Sequence, residues 1–364
     1  MANSVTNGQM FFILVLTVSS YTTIDIPKIV AQTAGRSGWM LILAFALVFG
    51  LAASMIVWLN NHFQGKVLFD YGQEIIGMVG SRVIVIYYLL MFILVGAYLK
   101  IRLVNFLSSN FLPKTPQAAM LAICVALFGF VSYHGVTNVA RLFVLFGTLF
   151  LITTIALVTV MLSQGMSFNM ESFVNPDEIK EFPSALIHFV FLFRGISVLF
   201  IIPFTQANRR AELASFGTLA FIGVLYIMIV EGTISILGIN NTILYSDSFI
   251  EATKVTNIPI IERTDIFYLT VGLMSLFAGM IIVFLGTLEF ACRLFPQISR
   301  LIMTIITSVI LYALSVLALG INNVTEVMDK IAPYLTLVGS VIIPAILVAL
   351  TKIRKLGGST EGGT

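Results

Sequence analysis

The chain has 364 residues, of which 59% are hydrophobic and only 10% are charged, and its mean hydropathy is +1.03. Soluble proteins carry about 25% charged residues, so this composition excludes a water-soluble globular protein. The net charge of +3, without a basic cluster, also excludes a nucleic-acid-binding protein. We therefore expect a multi-pass integral membrane protein that resides in the lipid bilayer.

Ten apolar segments follow one another along the chain, most of them close to the ~20 residues that cross a bilayer. The expected spans are residues 8–34, 40–58, 83–106, 118–133, 142–162, 184–205, 216–238, 266–288, 301–321 and 331–351. Continuous apolar runs favour helices over the ~10-residue alternating strands of a membrane barrel. The sequence predicts an all-α integral membrane fold with ten transmembrane helices in a single domain, residues 1–364, ending in a short flexible cytoplasmic tail at 354–364.

The orientation follows from the basic residues, which divide almost evenly between the two sides of the membrane. The two clearest basic doublets, Arg209-Arg210 and Arg354-Lys355, fall on the side of the N-terminus. Because cytoplasmic loops are enriched in lysine and arginine, this distribution favours a cytoplasmic N-terminus and C-terminus. The connection at residues 239–261 is long enough to hold a short surface helix around residues 246–253.

Two spans carry polar breaks in corresponding positions. In the first span, Asp25 and Pro27 follow the polar run Ser19, Ser20, Tyr21, Thr22 and Thr23. In the sixth span the break reads Phe193, Arg194, Gly195, Ile196 and Ser197. Each break opens a five-helix half, residues 8–164 and 184–353, and an odd number of spans per half gives the two halves inverted topologies.

Interrupted helices in corresponding places predict a transporter-type binding site. Unwound backbone is tolerated at membrane depth only where it lines an enclosed cavity, because its N–H and C=O groups have no water to bind in lipid. A simpler interpretation of a single polar run is that its hydroxyls bond neighbouring helices. The presence of two breaks in register favours the binding site.

Ionisable side chains within spans are costly and usually functional. Arg194 lies at the predicted break of the sixth helix, and its planar fork of donors suits a carboxylate. It could clamp or gate a ligand, or it could form a structural ion pair with Asp25 or Glu231. Asp25 could instead cap the half-helix that begins near Pro27.

Other chemistries find little support in the sequence. The motifs of metalloproteases, serine hydrolases and phosphate-binding loops are missing, so an enzyme is not expected. No histidine lies near a cysteine, so neither a metal site nor a cofactor is expected. Cys124 and Cys292 lie within apolar runs, which favours a packing role.

Several short segments, spread over most of the chain, carry a resemblance to a known family. They are Ile-Asp-Ile-Pro at 24–27, Leu-Phe-Asp-Tyr at 68–71, Val-Ala-Arg-Leu-Phe at 139–143, Ile-Pro-Phe at 202–204 and Glu-Arg at 262–263. In order and spacing they resemble the B subunits of bacterial spore-germination receptors. That family belongs to the amino acid–polyamine–organocation superfamily, whose LeuT-like core has ten helices in two inverted repeats of five.

The resemblance implies a subunit that binds a small germinant, such as an amino acid, and signals with the family's A and C subunits in the spore inner membrane, a bacterial cell membrane. The alternative is a secondary amino acid or amine transporter that works by alternating access. By analogy with the superfamily, Tyr98, Ser275 and Phe277 join the polar residues of the two breaks as candidate cavity-lining residues. Two departures concern the ligand: the first break lacks Gly-x-Gly, and Ser197 stands where relatives often have an acid.

Overall fold

The computed structural model describes residues 5–20, 22–63, 66–166, 169, 175–180, 182–202, 209–256, 264–320 and 324–356. Its α-helices are α1 (Asn7–Ser19), α2 (Thr22–Ala34), α3 (Gly38–His62), α4 (Leu68–Asn110), α5 (Gln117–Tyr133), α6 (Val136–Gln164), α7 (Pro176–Lys180), α8 (Phe182–Leu192), α9 (Arg209–Leu244), α10 (Ser248–Val255), α11 (Thr264–Leu294), α12 (Arg300–Leu319), α13 (Val324–Leu337) and α14 (Ile343–Ile353). A 3-10 segment, Ile196–Ile201, follows α8, and a π-helical turn, Val338–Ile342, joins α13 to α14.

The helices match the expected membrane spans in position. Within the described residues, eight helical stretches are long and apolar enough to cross a bilayer, and α1 and α5 are shorter apolar helices of 13 and 17 residues. α1 and α2 form the two halves of the first expected span, and α8 with the 3-10 segment forms the sixth. The all-helical membrane fold is confirmed, whereas the count of ten spans and the inverted relation of residues 8–164 and 184–353 stay predictions.

Both predicted breaks are present. α1 ends at Ser19 and α2 begins at Thr22, with Ser20 outside helical geometry at φ −45° and ψ −81°. The second break follows Leu192, where Gly195 adopts φ +100° before the 3-10 segment begins. Only glycine takes such a positive φ at low cost, so Gly195 allows the chain to turn between the end of α8 at Leu192 and the 3-10 segment.

The broken helices lie at the centre of the bundle. α1 packs against α6, α9 and α11, while α2 packs against α8, α9 and α10. The most apolar part of α11, within Gly272–Leu294, is 78% buried, whereas that of α12 is 28% buried. α12 therefore lies at the periphery of the bundle, with one side packed on α4 and α5 and the other exposed.

The short helix predicted around residues 246–253 exists as α10, and it has one exposed side, with Lys254, and one buried side. Phe249 and Ile250 are at most 1% exposed, and α10 packs against α9, α11 and α2. The buried side of α10 therefore packs on the bundle, while Val255 at its end is 64% exposed.

The predicted orientation can be tested by cysteine labelling in a variant that lacks Cys124 and Cys292. A cysteine at the exposed Asp177 should react with an impermeant thiol reagent added from outside the cell, and one at the exposed Arg209 should not. Labelling is read by mass shift before and after membrane disruption. The reverse pattern would place the N-terminus outside.

Candidate functional site

One tyrosine on α9 connects the two breaks. The Tyr226 hydroxyl lies 2.9 Å from the carbonyl oxygen of Val18 and 3.3 Å from that of Leu192, and it shares its hydrogen between them. Thr22 Oγ1 also donates to the Leu192 oxygen, at 3.4 Å. These carbonyls belong to the last turns of α1 and α8, which have no partner within their own helices. The contacts hold the two breaks side by side.

A small cavity, here called the central cavity, lies between the breaks. Its volume is about 30 Å³, which admits water but is far below the ~300–1,000 Å³ typical of small-molecule sites. It is lined by Thr17, Ser20, Met91, Phe92, Val95, Leu99, Arg194, Gly195, Ser197, Gly279, Val283, Thr336 and Ser340. The hydroxyls of Thr17, Ser197 and Ser340 are buried without a hydrogen-bond partner in the described structure. The central cavity is therefore small, and its wall combines apolar side chains with hydroxyls that have no partner in the described structure.

Arg194 lies in the wall of this cavity and is only 5% exposed. Its Nη1 donates to the carbonyl of Phe191 at 3.2 Å, and the guanidinium stacks 4.3 Å from the centre of the Phe191 ring. Nε and Nη2 have no partner among the described residues. The structure does not join Arg194 to Asp25 or Glu231 by a salt bridge within that part of the chain.

A larger cavity, here called the vestibule, lies on the other side of Arg194 and has a volume of about 350 Å³. It is lined by Thr22, Asp25, Lys28, Ile29, Gln32, Tyr98, Arg102, His188, Phe191, Leu192, Arg194, Ser246, Asp329 and Pro333. This volume lies within the ~300–1,000 Å³ typical of small-molecule sites. The vestibule therefore has room for a small molecule, and charged groups of both signs surround it.

A charged network crosses the vestibule from α2 to α13. Arg102 Nη2 lies 3.8 Å from Asp25 and 3.7 Å from Asp329. Tyr98 donates to Asp329 at 2.5 Å and accepts from Arg102 Nε at 3.1 Å. Arg102 thus takes the place at Asp25 that the sequence suggested for Arg194, because α4 brings a second arginine to the same carboxylate.

The structure brings together about half of the sequence-predicted site residues. The central cavity contains Ser20, Arg194, Gly195 and Ser197, and the vestibule contains Thr22, Asp25, Tyr98 and Arg194. Tyr21 lies outside the described residues. The sequence analysis did not select Arg102 and Asp329 as site residues. Both are ionisable residues in or next to an apolar span, and this feature could have identified them.

The remaining candidates do not line either cavity. Thr23 donates to the Ser19 carbonyl at 2.5 Å. Phe193 stacks on Phe49 with ring centres 5.5 Å apart, and Phe277 packs edge-on against Phe128 at 5.8 Å. The other three, all buried, are Ser19, Ser275 and Glu231.

Metal-binding groups are scattered in the described part of the chain, where no three histidine, cysteine, aspartate or glutamate side chains come together. The candidate site is therefore built from one arginine, hydroxyls, and the Arg102 network.

Replacing Gly195 with alanine should destabilise the protein by about 1–3 kcal/mol, because a side chain at φ +100° is strained. The added Cβ would also lie 2.6 Å from Cγ2 of Thr17. The matched control is Gly217→Ala in α9, where nothing lies within 4 Å and alanine favours the helix. Thermal melting of the purified variants measures both effects, and equal melting temperatures would contradict the strained turn.

Comparisons with known structures support the fold. The chain superposes on the crystal structure of MhsT in complex with L-phenylalanine with a TM-score of 0.66, at 13% identity over 94% of this chain and 88% of that one. It also superposes on the substrate-bound outward-open state of a Na+-coupled sialic acid symporter with a TM-score of 0.67, at 12% identity over 97% of this chain and 79% of that one. At this identity the likeness shows a shared fold of the transporter type.

Sequence comparisons extend over almost the whole chain. It is 23% identical over 362 residues to spore germination protein YndE of Bacillus subtilis (strain 168), covering 98% of both chains. It is 24% identical over 293 residues to spore germination protein B2 of the same organism, covering 76% of both. The family model described as "Spore germination protein" matches residues 4–350. With this match over nearly its full length, the chain belongs to the spore germination protein family of multi-pass membrane proteins.

Proposed function

We propose that this protein is the membrane subunit of a spore germinant receptor, and that it binds a small germinant at the two broken helices. The observation that carries the proposal is the buried guanidinium of Arg194, which lines both cavities and keeps two nitrogens without a partner in the described structure. An unpaired charge at membrane depth costs at least ~2.5 kcal/mol. A ligand that supplies a counter-charge recovers that cost.

The chemistry around Arg194 favours a carboxylated ligand. Guanidinium binds carboxylates through two parallel hydrogen bonds, and the hydroxyls of Thr17 and Ser197 lie in the same wall with free donors. In the vestibule, an ammonium group would compete with Arg102 for the carboxylates of Asp25 and Asp329. A carboxylate at Arg194 and an ammonium group in the vestibule describe an amino acid.

The size of the central cavity adds a condition to binding. At about 30 Å³ it does not hold an amino acid in this conformation. The ligand would enter through the vestibule and widen the space between the breaks as it reaches Arg194. That movement is what a receptor would pass on to partners, which by the family likeness we propose are the A and C subunits in the spore inner membrane.

Two substitutions at Arg194 test the proposal. Arg194→Met should weaken binding of a carboxylated germinant by roughly 10- to 100-fold, since a hydrogen bond to a charged group contributes ~1.5–3 kcal/mol. Arg194→Lys keeps the charge but loses the planar fork, and should weaken binding less. The measurements are ligand-dependent germination and ligand binding to purified protein, with protein levels checked by immunoblot.

Arg141→Met, at an exposed arginine on α6, is the matched control and should respond normally. A ligand without a carboxylate should be unaffected by Arg194→Met. A normal response of Arg194→Met to carboxylated germinants, at wild-type abundance, would refute the ligand role of Arg194.

A secondary amino acid or amine transporter is the second candidate, favoured by the transporter fold and by the two cavities along one path. Purified protein in liposomes should bind labelled amino acid at the site without accumulating it if the receptor proposal holds. Gradient-driven accumulation, lost in Arg194→Met, would show transport instead.

A further inference from the structure

A third cavity, here called the lateral cavity, lies between α4, α11 and α12, away from the candidate site. Its volume is about 190 Å³, and its walls include Leu89 and Ile93 of α4, Ala291 of α11, and Met303 and Ile310 of α12. Two threonines, Thr287 and Thr307, also line it, and the Thr287 hydroxyl already donates to the carbonyl of Val283 at 2.9 Å. The rest of the wall is apolar and offers water few hydrogen-bond partners, so the cavity suits hydrocarbon.

The lateral cavity opens toward lipid. Ile306 and Ile310 on its α12 side are 39% and 43% exposed, and Phe295 at the α11–α12 turn is 51% exposed. All three lie on the peripheral side of the bundle. A hydrocarbon chain can therefore enter from the bilayer without passing through the protein.

A cation lies where the head group of such a lipid would be. Arg82 shares one stripe of α4 with Leu89 and Ile93, because residues seven and eleven positions apart fall on the same helix face. At a rise of ~1.5 Å per residue, Arg82 lies ~10 Å from Leu89 along the helix. Tyr88 stacks on Phe290 with ring centres 5.6 Å apart. Since α11 ends four residues after Phe290, at Leu294, the end of α11 lies close to the level of Arg82.

The charge of Arg82 is not used elsewhere in the described structure. Arg82 is exposed and has neither a hydrogen-bond nor an ion-pair partner there. The arginines at the two ends of the α11–α12 turn are already neutralised: Arg293 pairs with Asp70 at 3.1 Å and Arg300 with Glu289 at 2.6 Å. Arg82 is thus available to an anion from the membrane surface.

We propose that the lateral cavity is a binding site for one anionic phospholipid, which places an acyl chain among α4, α11 and α12 and its phosphate beside Arg82. The site lies in the leaflet of the α11–α12 turn. The same two helices, α4 and α11, supply Phe92, Val95, Gly279 and Val283 to the central cavity. The bound lipid would therefore pack against two helices that also border the candidate ligand site.

The test is native mass spectrometry of the delipidated protein, titrated with phosphatidylglycerol or with phosphatidylcholine of the same acyl chains. The wild-type protein should retain one phosphatidylglycerol in preference to phosphatidylcholine by about fivefold, which corresponds to the ~1 kcal/mol of one basic residue at an anionic surface. Arg82→Gln should remove this preference, while Arg141→Gln, at an exposed arginine on α6, should keep it.

Variants that fill the lateral cavity distinguish an acyl chain bound inside it from a lipid attracted only by the charge of the protein surface. Ala291→Phe should abolish retention of both lipids, and the smaller Ala291→Leu should reduce it if the first variant does not fold. Equal retention of the two lipids by the wild-type protein would overturn the proposal. So would undiminished retention in the Ala291 variants, or an equal loss of preference in Arg82→Gln and Arg141→Gln.

Discussion

The hydrogen bonds of Tyr226 to the ends of α1 and α8 are the contact on which the site depends. A helix that stops at membrane depth leaves carbonyl groups that lipid cannot satisfy. One hydroxyl from α9 serves Val18 and Leu192 together, at 2.9 and 3.3 Å. Because both breaks use the same donor, they are held beside each other. The central cavity lies between them and is lined by residues of both.

Charge placement then divides the site into two parts. Asp25 is engaged by Arg102, which also reaches Asp329, so the network joins α2, α4 and α13 across the vestibule. Arg194 is left with the Phe191 carbonyl and ring. The vestibule is thus nearly balanced in charge, whereas the wall of the central cavity is positive. A zwitterion would meet the balanced region first and reach the positive wall with its carboxylate.

The sequence predicts the breaks well because their signals are local. Gly195 beside Arg194, and a polar run before Asp25, interrupt spans that are otherwise apolar. The partner of Asp25 was not predictable in the same way, since Arg102 lies on another helix and only the packing of α2 against its neighbours decides which arginine is nearer. The same applies to α10. The sequence indicates a short helix there, but which of its side chains are buried depends on the helices packed against it.

The helical stretch formed by α13, the π-helical turn and α14 connects the vestibule with the central cavity. Asp329 on α13 belongs to the charged network, while Thr336 and Ser340, further along, line the central cavity. Pro333 lies between Asp329 and Thr336, and the π-helical turn Val338–Ile342 includes Ser340. Both features disturb the regular hydrogen bonding of the helix.

Two tyrosines of α4 satisfy carbonyls at this point. Tyr87 donates to Leu335 at 2.7 Å and Tyr88 to Gly339 at 2.6 Å. α4 thus contacts the irregular helix at the network through Arg102 and at the turn through the tyrosines. A ligand that displaces both Arg102 and Tyr98 from Asp329 would break the polar contacts of this end of the helix with α4. The contacts of Tyr87 and Tyr88 would still hold the other end, so the helix would bend at Pro333 rather than move as a rigid rod.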